Sequence, residues 1–219
     1  MLRSNVETNR DGCKIAQLAD TAIRDFIERL GSHEPAPGGG AAAGVALALG
    51  AAMIQMAGGY SIGKKRYADV QEDLVAIVAR CEVIATRGVA LAAEDATAYA
   101  GFATAMKLPR KSPEEKAARS AALAEAARAA TVVPLELAEL CAEVVALGEQ
   151  TCCIGNPNLV GDAAGGGSLA RGALRICQLN IAANVGMIVD DAFVQDTESR
   201  LAAAAKSLCQ ADITVDRHL

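Results

Sequence analysis

One carboxylate in this chain stands where a folded protein rarely places one. In the segment LAAEDATAYAGFATAMKLP, residues 91–109, successive positions of a helix turn by about 100°. Leu91, Asp95, Tyr99, Phe102 and Met106 therefore share one face, with Asp95 in the middle of an apolar stripe. Its neighbour Glu94 points off that stripe, towards the side of Arg87. A buried aspartate costs several kcal/mol unless it is paired or protonated. Burial also raises its pKa, which suits a general acid/base. A purely structural hydrogen bond between helices accounts for the pattern equally well.

Three other groups carry chemistry. On a later helical segment Leu169, Ile176, Asn180, Asn184 and Met187 fall on one face, with Arg171 and Arg175 opposite, and Asp162 joins them if the helical phase carries through Gly165–Gly167. That face is either a polar pocket wall or a set of amides paired with each other. The stretch PAPGGG places Gly38, Gly39 and Gly40 before a helix, whose free N–H groups and dipole attract anions. Lys64, Lys65 and Arg66 follow that same helix, as an anion site or as a solvated loop. The seven cysteines are scattered without a CxxC, and the two histidines, His33 and His218, supply no zinc ligand set. Most of the cysteines read as small core hydrophobes.

The elements that must position these groups are helical. The chain is 52% hydrophobic but 3% aromatic, with no Trp, so its apolar content is largely Ala, Leu, Val and Ile. Ala and Leu favour helices, and no convincing strand or internal repeat is present. A first amphipathic helix fits residues 16–30 after a loose polar segment over residues 1–14. HEPAPGGG is a linker, and residues 41–56 form a second helix, apolar on every side. Residues 67–108 form a long helical pattern with one break. Ser112, Pro113 and Glu115 make a capping box that opens a helix towards Leu147, with a kink at Pro134. CCIGNPNLVGD and Gly165–Gly167 read as turns, followed by helices over 168–188 and 190–209. The whole is an all-α, single-domain, up-and-down bundle over residues 15–219 with a buried Ala/Gly-rich central helix.

Several function classes drop out. A net charge of −5 opposes general nucleic-acid binding, which needs a basic face. Gly38, Gly40 and Ala43 imitate a dinucleotide fingerprint, but no strand precedes them. Residues 41–60 are uncharged over a span-length window. They are mostly Ala and Gly, and Gln55 interrupts them, so the buried centre of a soluble bundle is the better reading. The N-terminus lacks the apolar region of a signal peptide, and a reducing cytoplasm fits the cysteine usage.

Ordered motifs then carry a resemblance: PAPGGGAAAG (35–44), SIGKKRY (61–67), EDATAY (94–99), AMKLPRKSPEEK (105–116), VPLELA (133–138), GNPNLVGDA (155–163) and LNIAAN (179–184). The chain resembles the cyclodeaminase domain of formiminotransferase-cyclodeaminase and the stand-alone methenyltetrahydrofolate cyclohydrolases, from about Leu18 to Cys209. The resemblance implies an all-helical homodimer with no metal or nucleotide cofactor. It implies a tetrahydrofolate substrate carrying a one-carbon unit, with Asp95 matching the catalytic aspartate. Lys64 and Lys65 would meet the glutamyl carboxylates or stabilise the developing oxyanion, Lys64 thereby assisting catalysis, and Gly38, Gly39, Gly40, Lys65, Tyr67, Asn156, Asn158, Asp162 and Asn180 would bind substrate. Hydrolysis of 5,10-methenyltetrahydrofolate is the first expectation and cyclodeamination of 5-formiminotetrahydrofolate the alternative. A non-catalytic folate-binding or structural dimer is the alternative of another class. Two departures stand out: Gly161 replaces the family's usual Ser, and Gly165–Gly167 replace larger aliphatics. Both are expected to loosen the wall around Asp162.

Overall fold

A computed structural model describes residues 21–215, with side chains described to residue 206. The segment over residues 1–14, the start of the first helix, Cys13, the Cys209 side chain and His218 lie outside the described residues. Among the described residues the fold is all-α: α1 (Ile23–Leu30), α2 (Gly39–Gly59), α3 (Gln71–Met106), α4 (Pro113–Ile154), α5 (Val160–Val185) and α6 (Asp191–Val215). Short 3-10 turns at Lys65–Val70 and Pro157–Leu159 precede α3 and α5. The helical pattern over residues 67–108 thus divides into a 3-10 turn up to Val70 and an unbroken α3 from Gln71.

The helix ends follow local chemistry. At α4 the Ser112 hydroxyl accepts the Glu115 N–H at 3.1 Å, and Glu115 Oε2 accepts the Ser112 N–H at 3.1 Å. Pro113 opens the helix, where its missing N–H costs nothing. At the other end of α2, Gly63 has φ +77, the left-handed region that favours glycine, and its N–H donates to Gln71 Oε1 at 2.8 Å.

Cross-helix contacts fix the topology. Gly44 lies against Gly88 and Ala92, and Gly58 against Val78, so α2 and α3 run antiparallel. Gly39 meets Ile176 while Gly50 meets Gly166, so α5 is also antiparallel to α2. Arg80–Glu143 (2.6 Å) and Arg87–Glu136 (2.7 Å) pair α3 with an antiparallel α4. Arg87 also pairs with Glu94, on the side the helical projection gave. Arg128–Asp190 and Arg200–Glu139 set α6 parallel to α4. These half-exposed ion pairs contribute little stability each, but they mark the register.

α2 sits between α3 and α5 with α4 behind it. Leu47, Ile54, Leu91, Leu137, Val144 and Leu174 form the centre of the core, with Cys81, Cys141 and Cys177 among them. Burial pushes the Cys81 thiol up to about 11, as expected of small core hydrophobes. One stripe of α2 faces outward: Leu49 is 52% and Met56 40% exposed. α2 is long and apolar enough to cross a membrane by length and composition, and more than half of its apolar window is buried inside the fold.

Two expectations are corrected. α2 begins at Gly39 rather than Ala41, so two of the glycines belong to the helix. Gly165–Gly167 are not a turn, because α5 runs unbroken from Val160. Gly166 serves packing rather than a break. A Cβ on Gly166 would come within 2.5 Å of the Gly50 carbonyl oxygen, and one on Gly50 within 2.6 Å of the Gly166 carbonyl oxygen. Gly161 and Gly167 meet nothing within 4 Å. Gly166→Ala should therefore destabilise by about 1–3 kcal/mol through overpacking, whereas Gly167→Ala should stabilise by up to about 1 kcal/mol through helix propensity. Denaturant unfolding of the two variants measures the difference, and equal effects would contradict the packing account.

Candidate active site

The site forms where α2 begins. Asp95, on α3, reaches across to that helix end because α2 carries no side chain there. A Cβ on Gly40 would fall inside the Asp95 carboxylate. The carboxylate accepts the Ala41 N–H, one of the free donors of the first turn. Two effects then compete. Burial pushes the Asp95 pKa up, and the Ala41 N–H pulls it back, with burial dominant. Beneath lies Cys177, fully buried on α5, with its thiol pushed up to about 12 by burial and by the Asp95 charge. That thiol therefore stays protonated at neutral pH and gives up no proton to the carboxylate.

A cavity of about 390 Å³ opens over this arrangement. Tyr99 and Phe102 from α3, Asn180 and Asn184 from α5, and the Pro35–Gly40 turn form its walls. Asp95 is the only charged residue lining it among the described residues. The Asp95 stripe is thus half core and half pocket: Leu91 is fully buried, while Tyr99 is 45% exposed. That boundary explains why an apolar stripe carries a carboxylate.

The floor contains a backbone acceptor that a proline creates. Pro134 lies inside α4 and has no N–H, so the Ala130 carbonyl four residues earlier loses its helical donor. Asn184 Nδ2 donates to that carbonyl at 3.2 Å. Both Ala130 and Asn184 line the cavity. The bond holds the Asn184 amide in one orientation, with its Oδ1 left as an acceptor. Ala130 was not singled out from sequence, although a proline four residues downstream is the signal that marks it.

The candidate residues divide between the two ends of α2. Gly38, Gly39, Gly40, Asp95 and Asn180 meet in the cavity. Lys64, Lys65, Tyr67, Asn156, Asn158 and Asp162 do not. They lie beyond the far end of a 21-residue helix, about 30 Å away at 1.5 Å per residue. Lys64 and Lys65 are exposed, with the Lys64 ammonium 5.7 Å from the Tyr60 ring. Tyr67 is only 8% exposed and belongs to the core. Asn156 accepts the Asn158 N–H at 3.1 Å and shapes its own turn. Asp162 does share a face with Asn180, since α5 is continuous. Sharing a face does not bring them together, because the helix separates them by five turns.

The profile of the family described as Formiminotransferase-cyclodeaminase matches residues 22–203. A Methenyltetrahydrofolate cyclohydrolase of Methylorubrum extorquens is 37% identical over 174 residues, covering 80% of this chain and 84% of the relative. The Formimidoyltransferase-cyclodeaminase of Mus musculus is 29% identical over 85% of this chain and 34% of the relative. The chain spans about a third of that longer protein. A formiminotetrahydrofolate cyclodeaminase from Thermotoga maritima shares the fold, with a TM-score of 0.82 over 92% of this chain and 97% of that one at 23% identity.

Two measurements test the geometry. Asn184→Ala leaves the Ala130 carbonyl without its donor and should cost about 1–2 kcal/mol in unfolding free energy. Pro134→Ala supplies a backbone N–H for that carbonyl, so the same Asn184 change should cost much less in its background; additive effects would sink the idea. Asp95, whose pKa is raised on folding, contributes stability below its unfolded pKa and loses it as pH rises through the folded value. Asp95→Asn should then melt roughly 2–4 °C above wild type at pH 8, with the gap closing below about pH 4. A pH-independent gap would contradict this.

Proposed function

Because the chain belongs to the formiminotransferase-cyclodeaminase family, we propose that it is a tetrahydrofolate one-carbon enzyme that hydrolyses 5,10-methenyltetrahydrofolate to 10-formyltetrahydrofolate. The observation that carries the reading is Asp95, a carboxylate of raised pKa alone in a cavity otherwise walled by apolar and amide groups. A cationic amidinium is the natural guest of such a site, and an acid/base of this kind is what the reaction needs. Water adds to the amidinium carbon as its proton passes to Asp95. The carboxylic acid returns the proton to N5 while the C–N5 bond breaks. The hydroxyl proton leaves as the formyl carbonyl forms. The Gly38–Gly40 backbone and the amides of Asn180 and Asn184 are suited to the polar edge of the pterin. The mechanism calls on no metal or nucleotide cofactor. The cyclohydrolase direction is favoured over the ammonia-releasing cyclodeaminase by the relative that is 37% identical and matched over 84% of its length. Cyclodeamination would use the same proton shuttle.

The working unit in this reading is a homodimer in the cytoplasm, with neither nucleic acid nor membrane as partner. The outward stripe of α2, running through Val45, Leu49, Ala52 and Met56, supports a helix-to-helix seam. A two-fold axis near its middle would pack α2 antiparallel to its copy. The far end of one α2 would then face the Asp95 end of the other. Lys64, Lys65 and the Asn156–Asp162 turn of one subunit would thereby complete the site of its partner, with Lys64 near the developing oxyanion and Lys65, Asn156, Asn158 and Asp162 on the substrate. Tyr67 would act as support beneath the lysines rather than as a direct contact.

Loss of the methenyl chromophore on adding the protein is the direct assay, and gain of it from 5-formiminotetrahydrofolate identifies the cyclodeaminase instead. Asp95→Asn should lower kcat about 10²- to 10⁴-fold. Mixing Asp95→Asn with Lys64→Gln subunits should restore about a quarter of wild-type activity, since half the dimers are mixed and each has one intact site. Full activity of Asp95→Asn would end the shuttle assignment, and no recovery on mixing would end the shared site.

A further inference from the structure

A second cavity, of about 420 Å³, lies on the other side of Tyr99. It shares Pro35, Ala36, Ala96 and Tyr99 with the Asp95 cavity, so the two adjoin there, and a ligand occupying both would follow a bent channel past the tyrosine. Their electrostatics are opposite. The first cavity is lined by one carboxylate and no cation, whereas the second is lined by Arg29 and Lys107 and by no carboxylate. Arg29 Nε lies 3.5 Å from Glu34 Oε2, but that carboxylate is 57% exposed and outside the cavity. Lys107 caps α3, and it sits twelve positions after Asp95, about 18 Å along the axis. Beyond it the exposed turn adds Arg110 and Lys111.

We propose that the Arg29–Lys107 cavity is the subsite for the anionic glutamyl tail of the substrate, with the Tyr99 ring stacking on the aminobenzoyl group at the bend. The inference rests on the folate reading above and deepens it. Tetrahydrofolate has a cationic or polar head and a dianionic tail separated by an aromatic ring, and the channel presents the complementary order. Arginine and lysine both pair with carboxylates, and the apolar Pro35, Ala36 and Ala100 walls strengthen those pairs by excluding water. The tail is thereby bound within the same subunit as Asp95. Lys64 and Lys65 of the partner subunit are left for the reacting centre.

The test compares kcat/KM for 5,10-methenyltetrahydrofolate with that for 5,10-methenyltetrahydropteroate, which lacks the glutamate. Wild type should prefer the glutamylated compound. Arg29→Gln and Lys107→Gln should each reduce that preference about tenfold, and Lys107→Arg should retain most of it. Because the readout is a ratio within one enzyme, damaged folding lowers both rates and leaves it unmoved. An unchanged preference in both Gln variants, with both compounds turned over, overturns the tail subsite and leaves the folate reading standing. Wild-type protein that neither transforms nor binds either compound overturns the folate reading and the subsite with it.

Discussion

The close approach of three helix backbones governs this fold and its site. α2 meets α3 at Gly44 and Gly88, where a Cβ on Gly44 would lie 2.6 Å from the Gly88 carbonyl oxygen. It meets α5 at Gly50 and Gly166 with equal intimacy. With no side chains between the axes, packing is set by backbone atoms, which cannot adjust by changing rotamer. Asp95 lies two turns of α3 beyond Gly88, and that distance delivers its carboxylate onto Gly40. Separating the helices by one methyl group would withdraw the carboxylate from the Ala41 N–H.

The site uses this intimacy to hold opposed forces. Burial disfavours the Asp95 anion, while the free N–H of Ala41 favours it. A lone N–H and a helix end stabilise a carboxylate without neutralising it, unlike a lysine or arginine partner, which would hold its pKa low. Burial therefore leaves the carboxyl with a raised pKa, as the proposed proton shuttle requires. Pro134 performs a related service in the floor of the cavity. By omitting a donor it exposes the Ala130 carbonyl, which fixes Asn184. Polarity enters the cavity from backbone groups with little added bulk.

The two ends of α2 divide the candidate residues. Its outer stripe is apolar and exposed, although the helix is otherwise the most central element of the bundle. A helix apolar on every side usually marks a fully enclosed or membrane position. Here three sides face the chain's own helices, and the fourth is exposed and is the one the proposed dimer would cover. One hydrophobic helix would thus serve core and interface together, and the interface would reunite residues that a single subunit keeps apart.

The sequence by itself determined the helical class, the capping box at Ser112, the side of the helix on which Glu94 meets Arg87, and Asp95 as the misplaced carboxylate. These follow from composition and from the 3.6-residue period, which are local. It misjudged Gly165–Gly167, because a glycine run reads as a turn unless the neighbouring helix that needs the space is known. It grouped Lys64, Asn156 and Asp162 with Asp95 without showing that one subunit keeps them at opposite ends of α2, because shared motifs and a shared helical face carry no information about distance along the axis. Only the tertiary structure decided that Gly40 makes room for the carboxylate, that Pro134 frees a carbonyl for Asn184, and that the basic turn lies at the opposite end of α2. Each depends on which backbones touch, and that is settled by packing across the chain rather than along it.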